Sequence, residues 1–147
     1  MNDPLGALVV QTVLKVIREE GLIARGRGIA TMLSGGLAAI KSRTDQIVDL
    51  RSRGLMTAIE LRDDDRASRT TRIHRALVRQ GYILAQRPGL NVLRMDPSLT
   101  IEEKDIEGFL DVFEGLLHPV SGEPGAVMAT GQADGSSPRW SFAWDHR

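Results

Sequence analysis

The chain has no cysteine. Disulfides, thiol catalysis and zinc–thiolate sites are thereby excluded. Histidine is scarce: His74, His118 and His146 stand far apart without metal-ligand spacing, and all read as surface residues. Net charge is lacking as well, +0 at pH 7, so bulk attraction to nucleic acid or to a membrane surface is not expected. No uninterrupted apolar span reaches transmembrane length. Asp3, Pro4 and Gly6 stand where a signal peptide would carry basic residues into an apolar run. The cytoplasm is therefore the expected compartment. What is present is an ordinary globular balance, 41% apolar and 26% charged over 147 residues, enough for one domain.

Asp3-Pro4 reads as an N-cap followed by the proline tolerated at the first helical position. Leu5, Val9, Val13, Val16 and Ile17 form one stripe, widened by Leu8, Val10 and Leu14. That load predicts a helix packed on two sides, ended by Gly21. A second helix is expected over 23–41, with Ile29, Met32, Leu33, Leu37 and Ile40 inward and close packing at Gly35-Gly36. The period then changes to two. Strands are predicted over 47–50 and 55–61, joined through Ser52-Arg53-Gly54, with Leu55, Thr57, Ile59 and Leu61 on one face.

Asp63-Asp64-Asp65 closes the second strand and is placed to cap a third helix over 66–80. No glycine turn or downstream glutamate completes a calcium loop, so no metal is expected there. The third helix should bury Ile73, Leu77 and Val78 and stop at Gly81. Arg69, Arg72, Arg75 and Arg79 form its basic face, which reads as solvated because no aromatics interleave it. A third strand is predicted over 82–85, a turn at Gln86-Arg87-Pro88-Gly89, and an antiparallel return over 91–95. A last helix runs to about Leu117. From 119 to 147 the chain mixes Pro, Gly, Ser and Asp without period, the composition of a disordered tail. Trp140 and Trp144, beside Arg139 and Phe142, leave room for a short partner motif, but composition favours an unstructured end. The body, residues 1–118, is thus expected to be α+β: an antiparallel sheet of about four strands covered by helices.

One stretch points to chemistry. In Asn91–Thr100 two strand formers, Val92 and Leu93, lead directly to Arg94, and Pro97 ends the ladder. Thr100 and Glu103 have capping-box spacing, and Ile106, Phe109, Leu110, Phe113 and Leu117 then recur at helical period. A guanidinium held at a rigid strand end suits bidentate capture of a carboxylate. A structural ion pair or a solvated strand end is the alternative reading.

Four motifs in order, NDPLGALVVQTVLKVIREEGL, VDLRSRGLMTAIEL, LVRQGYIL and NVLRMDPSLTIEEKDIEGFL, resemble the C-terminal part of class III pyridoxal-phosphate-dependent aminotransferases. That group includes the ornithine, acetylornithine and 4-aminobutyrate aminotransferases and dialkylglycine decarboxylase. The likeness covers residues 2–117 and implies the small C-terminal domain of a dimeric fold-type-I enzyme. The family's carboxylate-binding arginine falls on Arg94, within Leu93-Arg94-Met95-Asp96-Pro97-Ser98-Leu99. Ser52 replaces the usual first glycine of the RGxGLM turn, while Asp96 and Ser98 replace a smaller or apolar residue and a second proline. A carboxylate at Asp96 is placed to pair with Arg94 and limit its reach. Asp3-Pro4-Leu5 leans toward the dialkylglycine-decarboxylase branch.

The resemblance also places the cofactor lysine and the phosphate-binding loop in a large domain upstream of Asn2. Lys15, Lys41 and Lys104 are the lysines here, and all read as solvated helix residues. Transamination needs a lysine that holds the cofactor and moves the α-proton, so the chain alone is expected not to transaminate. Three readings follow: a piece of a larger aminotransferase, a non-catalytic carboxylate-binding or protein-interaction module, and a split enzyme completed by a large-domain chain.

Overall fold

The Asp3 carboxylate accepts from the Gly6 amide at 3.0 Å, and Pro4 opens α1 (Pro4–Glu19), so this cap forms as the sequence predicts. The computed structural model describes residues 3–63 and 67–118. The tail over 119–147 lies outside them, as do Asp64, Asp65 and His146. Gly21, at φ +62°, ends α1 and lets α2 (Leu22–Arg43) begin at once. α2 buries Leu22, Gly26, Ile29, Leu33, Leu37 and Ile40, a single inward stripe.

β1 (Ile47–Arg53) and β2 (Met56–Leu61) form a hairpin in which Arg53 pairs with Met56 across Gly54-Leu55. Gly54 takes φ +59°, which the tight turn requires. A bulge between Ile47 and Asp49 leaves Val48 without a cross-strand partner and exposed. α3 (Ser68–Arg79) follows, then β3 (Ala85–Gln86), β4 (Val92–Met95) and α4 (Glu103–Leu117). The sheet order is β1-β2-β4-β3, antiparallel throughout. Asn91 extends the β2–β4 ladder, its carbonyl accepting from Leu61 N at 2.8 Å and its side-chain amide donating back to Leu61 O at 2.8 Å.

Alternation along the strands makes the sheet one-sided. Thr57, Ile59, Leu61, Leu93 and Met95 are buried on one face, in the same core as Leu33, Leu37, Leu77, Ile106, Phe109 and Phe113. Phe109 and Phe113 stack at 5.5 Å, and Tyr82 meets Phe109 edge-on at 5.7 Å. The opposite face carries Arg51, Arg53, Met56 and Arg94, all exposed.

Several expectations need correction. α1 buries no residue: Leu5, Leu8, Val9, Val10, Val13 and Leu14 are all more than half exposed, so two-sided packing is not met among the described residues. Close packing at the glycine pair occurs at Gly36, where a Cβ would run into the Leu110 side chain, while Gly35 faces open space. The third strand is shorter and later than predicted. Tyr82 N donates to Leu77 O at 3.0 Å, which holds the chain against the end of α3 before it reaches the sheet edge. Val78 is exposed and not core. His74 is half-buried, its Nε2 donating to Leu84 O at 2.8 Å. Arg69 is half-buried too, donating from Nη2 to Leu117 O at 3.0 Å and from Nη1 to Gln46 Oε1. Lys41 is also only partly exposed, with Nζ donating to Val48 O at 2.9 Å.

The capping box does not form. α4 starts at Glu103 with Glu102 as a cap whose side chain bonds no amide of the first turn, and the Thr100 hydroxyl lies 2.8 Å from Ser98 Oγ. Arg25 from α2 fixes this entry instead, donating to Ile101 O at 2.8 Å. At α3, Asp63 accepts from Thr70 N at 2.7 Å, so the aspartate cluster does serve that helix start through its first member.

Candidate functional site

β4 is an interior strand, paired with β2 on one side and β3 on the other. Arg94 lies opposite Ala58 of β2 and Ala85 of β3, and two single-methyl neighbours leave its guanidinium unobstructed on the open face. The next strand over brings Arg51 opposite Ala58 from the far side. Arg51, Ser52, Arg53, Met56, Ala58 and Arg94 line one shallow depression of about 270 Å³. The sequence singles out Arg94, and the structure adds two arginines of the hairpin to the same hollow. Period-two counting from Ala58 across the β1–β2 register was the signal that reveals Arg51.

The carboxylates around the hollow are already engaged. Arg94 Nε donates to Asp96 Oδ2 at 2.8 Å, the pairing the sequence foreshadows. Both side chains are substantially exposed, at 59% and 43%, so this contact orients the guanidinium more than it stabilises the fold. Its two Nη groups make no hydrogen bond among the described residues, and that edge is the one that grips a carboxylate end-on. Arg51 lies 3.4 Å from Asp49 Oδ2 and 3.3 Å from Glu60 Oε2, one contact through each Nη. Arg53 has no hydrogen-bond or ion-pair partner among the described residues.

A larger cavity of about 420 Å³ lies behind β4, with Tyr82, Asp96, Asp105 and Phe109 among its walls. Burial, then the charges of Asp105 and Asp111, push the Tyr82 hydroxyl above its ordinary pKa. Its lining holds no Lys, Arg or His, so it offers a carboxylate no cationic partner.

With this geometry in view, comparison with known proteins is decisive. The profile of the family described as aminotransferase class-III matches residues 1–117. This chain belongs to the class III aminotransferases. It is 32% identical over 117 residues to the 4-aminobutyrate aminotransferase GabT of Escherichia coli, covering 76% of this chain and 28% of that protein. It is 33% identical to the acetylornithine aminotransferase of Mesorhizobium japonicum, over 75% of this chain and 26% of the relative. In structure it matches the acetylornithine aminotransferase of Elizabethkingia anophelis with a TM-score of 0.69 at 24% identity, covering 78% of this chain and 30% of that one. A transaminase solved with L-ala gives a TM-score of 0.70 at 21% identity, over 78% and 28%. These likenesses confirm the α+β fold. The chain spans between about a quarter and a third of the length of the proteins it matches.

Membership in the class III aminotransferases implies pyridoxal phosphate as cofactor. The described residues do not build a site for it. Lys15 lies on the exposed α1 within 3.9 Å of Glu19, Lys41 is bonded to Val48 O, and Lys104 sits 2.7 Å from Glu102. Each of those ammonium groups is engaged away from the arginine hollow. Among the described residues no helix is long and apolar enough to cross a membrane.

Proposed function

We propose that this chain is the substrate-gripping small domain of a pyridoxal-phosphate-dependent class III aminotransferase, with Arg94 as its carboxylate anchor. The observation that carries this reading is the open Nη edge of Arg94 on an interior strand, flanked by Ala58 and Ala85. The carboxylate of an amino donor or a 2-oxo acid meets two parallel N–H groups there, and the strand ladder holds their direction. Asp96, on Nε, fixes the guanidinium plane without occupying that edge. The part played by this chain is thus binding and orientation. The amino-group transfer itself needs a cofactor lysine that these residues do not supply.

The apolar face of α1 supports a protein partner that carries the rest of the site. An apolar stripe this exposed is stabilised when another surface covers it. In the alternative reading the chain is a stand-alone carboxylate-binding module, with the same open Nη edge of Arg94 as its anchor. Calorimetric titration with an amino acid and a 2-oxo acid tests the shared element. Saturable binding is expected, weakened roughly tenfold or more in Arg94→Gln, the loss of about one charged hydrogen-bonded pair. Binding unchanged in that variant would overturn the anchor. Incubation of the pure chain with pyridoxal phosphate, a donor and a 2-oxo acid should give no turnover, and turnover would sink the division of labour.

A further inference from the structure

The corner behind β4 is left open by the path of the chain after α3. The Tyr82 N–H bonds Leu77 O at 3.0 Å, so the chain stays against α3 and joins the sheet only at Ala85. The Tyr82 side chain meets α4, its ring against Phe109 and its hydroxyl over Gly108, where a Cβ would stand 2.6 Å from the oxygen. Between this loop, the end of β4 and the start of α4 lies the cavity of about 420 Å³. Small-molecule sites occupy about 300–1,000 Å³, so this one is large enough for a ligand.

Its walls divide by chemistry. Leu84, Met95, Ile106 and Phe109, all buried, form an apolar side. Its two charged residues, Asp96 and Asp105, are both acidic. Asp96 is held by Arg94 Nε at 2.8 Å. Asp105 has no such partner: Lys104 beside it bonds Glu102 at 2.7 Å, and Asp105 makes no ion pair among the described residues. Burial first, then the charges of Asp105 and Asp111, raises the pKa of the Tyr82 hydroxyl, so the Asp105 charge is felt at the cavity wall. An anion is repelled there, and one free carboxylate is too few ligands for a calcium or magnesium ion. A positive charge carried on an apolar group matches both sides at once.

We propose that this cavity binds a small organic ammonium ion, its charge against the Asp105 carboxylate and its apolar group on the Leu84, Met95 and Phe109 side. Met95 and Arg94 point to opposite faces of β4, so the site is separate from the Arg94 hollow. It stands whether or not Arg94 anchors a carboxylate. Asp105 is exposed, which keeps the contribution of charge modest and sensitive to salt.

The test is calorimetric titration of the full chain, at neutral pH and low salt, with phenethylamine and with phenethyl alcohol. The amine is protonated under these conditions, and the alcohol is its uncharged match in shape. The ammonium is expected to bind about fivefold more tightly. Asp105→Asn should lower it to the affinity of the alcohol and leave the alcohol within about twofold. Arg94→Gln should keep the preference, since it takes no group from the cavity and releases Asp96 to it. Equal affinity of the wild-type chain for the two ligands, a preference that survives Asp105→Asn, or no binding of the ammonium overturns the proposal. A preference lost in Arg94→Gln would put the ammonium on the other face of the sheet and overturn it as well. Because the Asp105 side chain is exposed and makes no hydrogen bond among the described residues, the variant is expected to fold, and its circular dichroism should match the wild type.

Discussion

Helices α1 and α4 are close to a matched pair, 16 and 15 residues long, each with an apolar stripe. α4 buries Ile106, Phe109, Phe113 and Leu117 between α2, α3 and the sheet. Among the described residues α1 buries nothing, and its main contact with the body is α2. Amphipathic period declares that a helix has a side to hide, but not what will hide it. For α4 the answer lies within this chain. For α1, in a family whose members are several times longer, the exposed stripe is the face of a larger assembly under the reading proposed above.

The sharpest way to break this comparison is to delete apolar volume from each helix. Phe109 is 1% exposed, stacks on Phe113 and meets the Tyr82 edge, so Phe109→Ala should cost about 3–5 kcal/mol. Val9, at 53% exposure, should give less than about 0.5 kcal/mol as Val9→Ala. Urea unfolding followed by circular dichroism measures both. A cost above about 1 kcal/mol at Val9 would mean that α1 is covered after all, by a second copy in solution.

The same contrast marks how far the sequence could be read. Element order, the inward stripe of α2, the alternation of β2 and the position of Arg94 were all legible, because each follows from local period or from one strong breaker such as Pro97. The β3 position was not, since Tyr82 is drawn to Phe109 by a contact made across the fold. The spacing of Thr100 to Glu103 predicts a cap, yet Ser98 competes for its hydroxyl and Arg25 anchors the loop from another helix. The Arg51–Arg53 side of the hollow became visible only with the hairpin register. Long-range partners, for good or ill, are what single-chain patterns omit.

A smaller effect sharpens the comparison at the α2–α4 contact. Gly36 leaves no room for a Cβ against Leu110, while Gly35, one residue earlier on the same helix, faces open space. Gly36→Ala should destabilise by about 1 kcal/mol, overpacking outweighing the gain in helix propensity. Gly35→Ala should stabilise by up to about 1 kcal/mol, because only the propensity changes. Opposite signs from adjacent glycines are the expected result in thermal melts. Matching signs would show that Leu110 yields at no cost.

The smallest effect is electrostatic and belongs to the same helix pair. Arg43 of α2 donates from Nε and Nη2 to the two oxygens of Glu114 on α4, at 2.8 and 2.9 Å. That bond holds the Glu114 carboxyl below its ordinary value of 4.5 and raises the Arg43 guanidinium above its own. A carboxyl depressed in the folded state contributes stability that is fully present above its unfolded pKa. The contribution fades as pH falls through the folded value, so the window lies in the acid range below 4.5. Glu114→Gln should therefore flatten the decline of stability with pH in that window, its modest cost being present near neutrality and vanishing at low pH. α1 has a counterpart in Lys15 and Glu19, 3.9 Å apart and both well exposed. A loose pair on an uncovered helix is screened by water, so Glu19→Gln should leave the denaturation midpoint at neutral pH where it was. Denaturation midpoints of Glu114→Gln and of the wild-type chain across the acid range read the effect of the Arg43 bond directly, and equal slopes would erase it.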